Sequence, residues 1–380
     1  GFVKGKSTVT NLCSFTDYAS HALDNRLQVD TIYCDFSKAF DAVQHSLLLH
    51  KLHVFGLSAD LIELVRSYLQ GRKNYVEYQG VKSRIYEPPT GVPQGSMLGP
   101  LLFCVFIDDV VQSLSSSNYL LYADDLKIYR TIESARDCEL LQTDLNMLYQ
   151  WCTANSLVLN KDKCRVMTFS RKQDTIVYQY AINQKALKRC DTFRDLGVIF
   201  DSKLTFNSHV ETLCKGCYSI LGFLARNTRD LNNQALVSFY NAYIRSKLEY
   251  CSVVWNPCYK KYADMVERVQ RKYLKILYYR RHRSFVEHGY PYDLLLNEFS
   301  YVSLSNRRIM HEIVFLVKLI RYVISDEYLL ASVNLLVPRI NSRMRDTFYL
   351  SAASTNHYAQ SPILSMCRST NNLCSDVDIF

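Results

Sequence analysis

Tyr122-Ala123-Asp124-Asp125 sits between two apolar runs, Tyr119-Leu120-Leu121-Tyr122 and Leu126-Lys127-Ile128-Tyr129. Such runs on both sides of a short polar tip predict a tight β-hairpin with two acids at its turn. The flanks lock the backbone while the carboxylates face a wet cleft. Neighbouring carboxylates repel, so a pair of this kind calls for a cation. Mg²⁺ takes oxygen ligands and readily bridges carboxylates to substrate phosphates. In isolation an Asp-Asp pair would read as a solvated turn, but this pair is not isolated.

Upstream lies Thr31-Ile32-Tyr33-Cys34-Asp35-Phe36-Ser37-Lys38-Ala39-Phe40-Asp41. Residues 29–34 read as a buried strand ending at Asp35, whose carboxylate can project into the same cleft as Asp124 and Asp125. Between these blocks stands Gly91-Val92-Pro93-Gln94-Gly95-Ser96-Met97-Leu98-Gly99-Pro100. Its glycines and prolines predict a kinked loop that lets backbone approach a nucleotide or template closely. The apolar run from Leu101 onward then starts a helix expected over 101–114.

The order of these blocks resembles the reverse transcriptase domain of non-LTR (LINE-type) retrotransposons of the jockey-like kind. Other matching pieces are Gly1-Phe2-Val3-Lys4-Gly5-Lys6-Ser7, Asn160-Lys161-Asp162-Lys163, and Leu196-Gly197-Val198-Ile199-Phe200. A YADD tetrapeptide alone is weak evidence, whereas six blocks in the family order are strong. A group II intron maturase-type reverse transcriptase is a related reading, which the jockey-like form of the 91–100 and 196–200 blocks disfavours. The resemblance implies an RNA-directed DNA polymerase that extends a DNA primer on an RNA template with deoxynucleoside triphosphates. It assigns Asp35, Asp124 and Asp125 to catalysis and to two Mg²⁺ ions, with Mn²⁺ as a substitute, because nucleotidyl transfer rests on positioning and charge neutralisation.

The resemblance also implies the remaining site residues. Phe36 and Phe40 would border the incoming nucleotide, with Phe40 beneath its sugar, where a ring disfavours a ribose 2′-hydroxyl. Pro93, Gln94 and Gly95 would touch template and nucleotide, Gln94 through a two-sided amide. Lys163 would stand near the leaving pyrophosphate as a proton donor or an offsetting charge. A solvated lysine is the equal alternative. Lys4, Lys6 and Ser7 fall in a fingers element that touches triphosphate or template. The family often has arginine at the two lysine positions, and lysine lacks the bidentate geometry. Gly197 would form a primer-grip turn, or else an ordinary hairpin glycine. Asp41 reads as a helix cap.

Length and composition agree with this class. The chain has 380 residues, 48% of them hydrophobic, and a net charge of +9 that suits a polyanionic partner. Most of its 28 tyrosines and 18 phenylalanines are expected in the core. Thirteen cysteines cannot all pair within the chain, and Cys214-Lys215-Gly216-Cys217 lacks a second CxxC to complete a zinc site. Reduced thiols of an intracellular, non-secreted protein are the expectation; work in the nucleus or a cytoplasmic ribonucleoprotein is implied by the family resemblance alone. No apolar run reaches membrane-spanning length. The chain opens on Gly1, inside a fingers-like block. Family members continue further upstream, so a longer reading frame with an endonuclease domain is expected.

Periodicity predicts helices near 61–69 (capped by Ser58), 133–155, 210–226, 233–250, 262–279 and 307–324, and a hairpin around Gly80. Strands are expected at 165–169, 177–182 and 193–200. Mixed strands and helices without a repeating βαβ unit indicate an α+β fold. With the family likeness, this becomes a right-hand polymerase. Fingers (partial) and palm would occupy 1–205, a helical thumb-like region 206–350, and a tail rich in Ser, Asn and Thr, and therefore expected to be poorly ordered, 351–380. Arg271, Lys272 and Lys275, with Arg268, Arg280, Arg281 and Arg283, would line template–primer on one helix face, interleaved with tyrosines. The bland reading is a solvated helix face. A catalytically inactive copy, or a domesticated nucleic-acid-binding module, is the alternative function.

Overall fold

The computed structural model describes residues 2–336 and 346–373. Two compact units emerge, one of Gly1–Lys4 with Leu27–Cys190, the other of Gly5–Arg26 with Asp191–Phe380. The division therefore falls fifteen residues before the expected boundary at 205, and the second unit also takes back residues 5–26.

In the first unit the strand Gln28–Cys34 is the axis of a five-stranded sheet. All seven of its residues are buried, because it is flanked on both sides and covered on both faces. The strand Asp125–Ile132 pairs antiparallel along one side, from Gln28↔Ile132 to Cys34↔Leu126. Arg165–Phe169 pairs antiparallel along the other. Asn118–Tyr122 and Lys188–Arg189 form the edges. A buried strand that carries Asp30 must pair its charge. Asp30 accepts hydrogen bonds from Tyr180 Oη (2.9 Å), Thr168 Oγ1 (2.7 Å) and Gln28 Nε2 (3.0 Å).

The helix Ala135–Ala154 packs Leu141, Leu145 and Leu148 into this core and starts at a capping box on Ser134. The helix expected over 101–114 begins earlier, at Leu98, and tightens into a 3₁₀ stretch over Asp108–Ser113. The expected strand 177–182 shortens to Ala181–Ile182. The hairpin around Gly80 pairs Glu77–Tyr78 with Val81–Lys82.

The second unit is mostly helical. The helix Thr8–Asp24 buries Leu12, Cys13, Phe15 and Ala19, and its Phe15 ring meets Phe200 edge-on at 5.7 Å. This burial draws the N-terminal segment into the second unit. The expected strand 193–200 is instead a hairpin of Thr192–Asp195 and Val198–Asp201, because Leu196 and Gly197 both take positive φ and turn the chain. Long helices Asn207–Asn227, Lys260–His282 and Leu304–Ile320 follow.

The poorly ordered tail expected over 351–380 is corrected for the described residues. The helix Pro362–Asn371 buries Ile363, Leu364, Met366 and Cys367. Its serines, which made the composition look disordered, serve a partner. Ser365 and Ser369 donate to the buried Glu312 at 2.9 and 2.6 Å. Residues 374–380 lie outside the described residues.

Candidate active site

The acids occupy one end of the sheet of the first unit. The last pair between the central strand and its neighbour is Cys34↔Leu126. One step further along that register stand Asp35 and Asp125, and opposed residues of an antiparallel pair share a face. Tyr122↔Asp125 closes the hairpin, leaving Ala123-Asp124 as a two-residue turn with Ala123 at φ +55°. Asp124 is half-buried at that turn, and Asp125 is exposed at the start of its strand.

Asp35 is fixed by its backbone. Its N–H donates to Cys164 Sγ (3.4 Å), and its carbonyl accepts from the Asn160 N–H (2.7 Å). The same Asn160 uses its side-chain oxygen to accept from the N–H groups of Asp162 and Lys163. This Asx-type turn carries Lys163 to Asp35, with Nζ 3.7 Å from Oδ2. Asp35 Oδ2 is itself buried and accepts no hydrogen bond. A buried carboxylate oxygen without a hydrogen-bond donor is costly unless a cation meets it.

Among the described residues, no group of three or more His, Cys, Asp or Glu is drawn together closely enough to hold a metal ion. The donor set is nevertheless all oxygen, with one oxygen lacking a hydrogen bond. That fits Mg²⁺, which takes one or two carboxylates and completes its shell from substrate phosphates and water.

The loop after Thr90 is stapled to the segment that follows Asp35. Gly91 N–H donates to the Val43 carbonyl (2.7 Å), and Val92 N–H to that of Phe40 (2.9 Å). The Gly91 carbonyl accepts from His45 Nε2 (2.9 Å) and Arg72 Nη2 (2.8 Å). Thr90 Oγ1 donates to the Asp41 carbonyl at 2.8 Å. Gly91 has φ +87°, and a Cβ there would sit 2.8 Å from Asp41 backbone atoms, so only glycine permits this approach. Gln94 Nε2 donates to Asp41 Oδ1 at 2.9 Å. A cavity of about 710 Å³ opens here, lined by Asp41, Arg72, Asn74, Thr90, Pro93 and Gln94. Gly95, at φ +80°, faces open space.

Asp41 therefore does not cap the following helix, whose N-cap is Gln44. It ends a 3₁₀ turn, Ala39–Asp41. Sequence reasoning missed the Asp41–Gln94 pair and the clamp of His45 and Arg72. Their partners are 19 to 53 residues away along the chain, beyond any local pattern.

The other expected residues divide. Phe40 is half-buried and stacked on Phe103, with centroids 4.3 Å apart. Phe36 is 6% exposed in the core cluster, so its ring faces inward. Lys6 belongs to the second unit, 3.7 Å from Asp326. Ser7 is the N-cap of Thr8–Asp24. Gly197 holds the hairpin turn at φ +89°, with the Tyr250 ring 3.1 Å from where a Cβ would stand. Of the basic helix residues, Arg271 donates to the Tyr290 carbonyl (2.8 Å) and Arg280 to that of Thr228 (2.8 Å), so both serve the fold. Arg268, Lys272 and Lys275, spaced by four and three, are exposed along one face.

The reverse transcriptase (RNA-dependent DNA polymerase) family profile matches residues 1–200. The RNA-directed DNA polymerase from mobile element jockey of Drosophila funebris is 29% identical over 290 residues, covering 72% of this chain and 31% of that protein. Its Drosophila melanogaster counterpart is 27% identical over 286 residues, with the same coverage. The probable RNA-directed DNA polymerase from transposon X-element of Drosophila melanogaster is 26% identical, covering 73% of this chain and 31% of the relative. The chain thus spans about a third of the length of these curated relatives. With its family profile spanning more than half of the residues, the chain belongs to the reverse transcriptase family.

Proposed function

We propose that this chain is the catalytic core of an RNA-directed DNA polymerase of a non-LTR retrotransposon. It would extend a DNA primer on an RNA template with deoxynucleoside triphosphates. The observation that carries this reading is Asp35: a carboxylate at the strand end, in register with Asp125, with its buried Oδ2 beside Lys163. Divalent cations held by Asp35, Asp124 and Asp125 together with triphosphate oxygens, Mg²⁺ or Mn²⁺, would acidify the primer 3′-hydroxyl and neutralise the leaving group.

The chain's own residues supply the rest. The hairpin turn holds Asp124 in place, so little reorganisation is needed when substrate arrives. Lys163 offsets negative charge next to Asp35 and can follow the departing pyrophosphate. Phe40 offers an aromatic wall backed by Phe103. The Gly91–Gly95 loop presents Gln94 toward nucleotide and template. In the second unit, Gly197 serves the primer, and the exposed Lys272 and Lys275 serve the phosphates of a template–primer duplex in a thumb-like role. Among the described residues, no helix is long and apolar enough to cross a membrane. An endonuclease domain in the whole protein, and work in the nucleus or a cytoplasmic ribonucleoprotein, complete the proposal.

Primer extension on an RNA template with a DNA primer, Mg²⁺ and deoxynucleotides tests it, run beside Asp124→Asn. Extension by the unsubstituted chain, falling by about a hundredfold or more in the variant, is the expected result. Silence from both, with duplex binding retained, would replace the polymerase by a binding module or an inactive copy.

A further inference from the structure

Gln94 has no protein partner among the described residues except Asp41. A carboxylate only accepts hydrogen bonds, whereas a glutamine amide both donates and accepts. Asp41 therefore selects one of the two amide orientations. It draws the NH₂ group to itself at 2.9 Å and leaves Oε1 for the cleft. The backbone of Asp41 has a separate task, receiving Thr90 Oγ1 and lying against Gly91. That staple needs no carboxylate, and His45 and Arg72 reinforce it independently on the Gly91 carbonyl. The loop is thus held without the Asp41 side chain, which leaves the amide of Gln94 as what the carboxylate serves. Both residues line the polar cavity of about 710 Å³.

We infer that Asp41 is a positioning residue: its carboxylate orients the Gln94 amide so that Oε1 accepts from a hydroxyl or N–H donor of the incoming nucleotide or of the template base it pairs with. This rests on the polymerase reading for the identity of the ligand. The hydrogen bond is exposed, so its loss should cost little stability. Its effect should appear in substrate recognition.

A double-mutant cycle tests this with the full chain as Asp41→Ala, Gln94→Ala and the double variant, beside Asp41→Asn. Each alanine variant should lower kcat/KM for deoxynucleotide about three- to tenfold, mainly through KM, with unfolding unchanged. The double variant should be no worse than the worse single. Asp41→Asn keeps an acceptor for the amide and should recover part of the loss. Independent, multiplying losses, or Asp41→Ala matching the unsubstituted chain while Gln94→Ala falls, would overturn the inference.

The same proteins are titrated with fluorescent RNA–DNA template–primer and deoxynucleotide in Ca²⁺, which requires no turnover. A coupled cycle in binding from a chain that does not polymerise sinks the polymerase reading and keeps the role of Asp41. An additive cycle in binding sinks that role even if the chain polymerises. A chain that binds no template–primer sinks both.

Discussion

His209 shows how one buried side chain can set a pH dependence. It is 6% exposed, its Nδ1 accepts the Ile199 N–H at 3.2 Å, and its ring lies 5.2 Å from that of Trp255. Nδ1 is therefore the unprotonated nitrogen. Burial, then the charge of Arg194, lowers its pKa from 6.5 to about 4. Between those values an unfolded chain binds a proton that the folded one refuses, so this contribution is lost as pH falls from 6.5 to 4. The shift corresponds to ~3 kcal/mol. Asp17 in the same unit works in the opposite direction. Burial raises its pKa to about 6 against an opposing hydrogen bond from Tyr328, so its contribution is present below 3.8 and lost as pH rises through 6. The summed profile is therefore flattened, and the difference between the unsubstituted chain and His209→Gln isolates the imidazole. Denaturant unfolding across pH 4 to 7 should show that difference shrinking toward acid by ~3 kcal/mol. A difference independent of pH would mean that His209 titrates normally in the fold. None of this was legible in the sequence, because the groups around His209 are brought together by the fold and not by any local pattern. By contrast the placement of Asp35 at a strand end and of Asp124 and Asp125 at a hairpin tip was legible, because both are local patterns.

Among elements, the helix Pro362–Asn371 illustrates composition misleading where pairing decides. Glu312 is 1% exposed and accepts from Asn256, Ser365 and Ser369. Two of those three donors come from the segment whose serines and asparagines looked disordered. Replacing both serines by alanine should leave Glu312 undersupplied and lower the unfolding free energy of the second unit by about 1–3 kcal/mol. An unchanged denaturant midpoint would indicate that water satisfies Glu312 and that the tail contributes nothing there. Long amphipathic helices such as Ala135–Ala154 and Lys260–His282 were readable from periodicity to within a few residues. The hairpin over residues 192–201 was readable only as a turn at Gly197, while the strand expected over 193–200 ran straight through it. Its turn depends on Leu196 adopting φ +43° beside Gly197, a conformation that apolar periodicity conceals. For the same reason the first helix was missed, since its membership of the second unit depends on a partner such as Phe200, far along the chain.

At the scale of the molecule, a net charge of +9 indicates a polyanionic partner without saying where it binds. The structure narrows the candidates on the helix Lys260–His282. Arg271 and Arg280 are held by backbone carbonyls, so their charge maintains the fold and only partly faces outward. Lys272 and Lys275 are exposed and share a face with Arg268. Lysines that contact phosphates displace condensed counterions, and this displacement makes affinity fall with salt. If these two contact duplex phosphates, Lys272→Gln and Lys275→Gln should each weaken template–primer binding irrespective of sequence. Each should also make the slope of log affinity against log salt shallower by about one. Arg271→Gln should behave differently, losing folding stability through the Tyr290 carbonyl more than it loses salt dependence. Filter or anisotropy titrations at several salt concentrations distinguish the two behaviours. Slopes unchanged in both lysine variants would move the duplex to another face and leave the stripe as ordinary solvated charge.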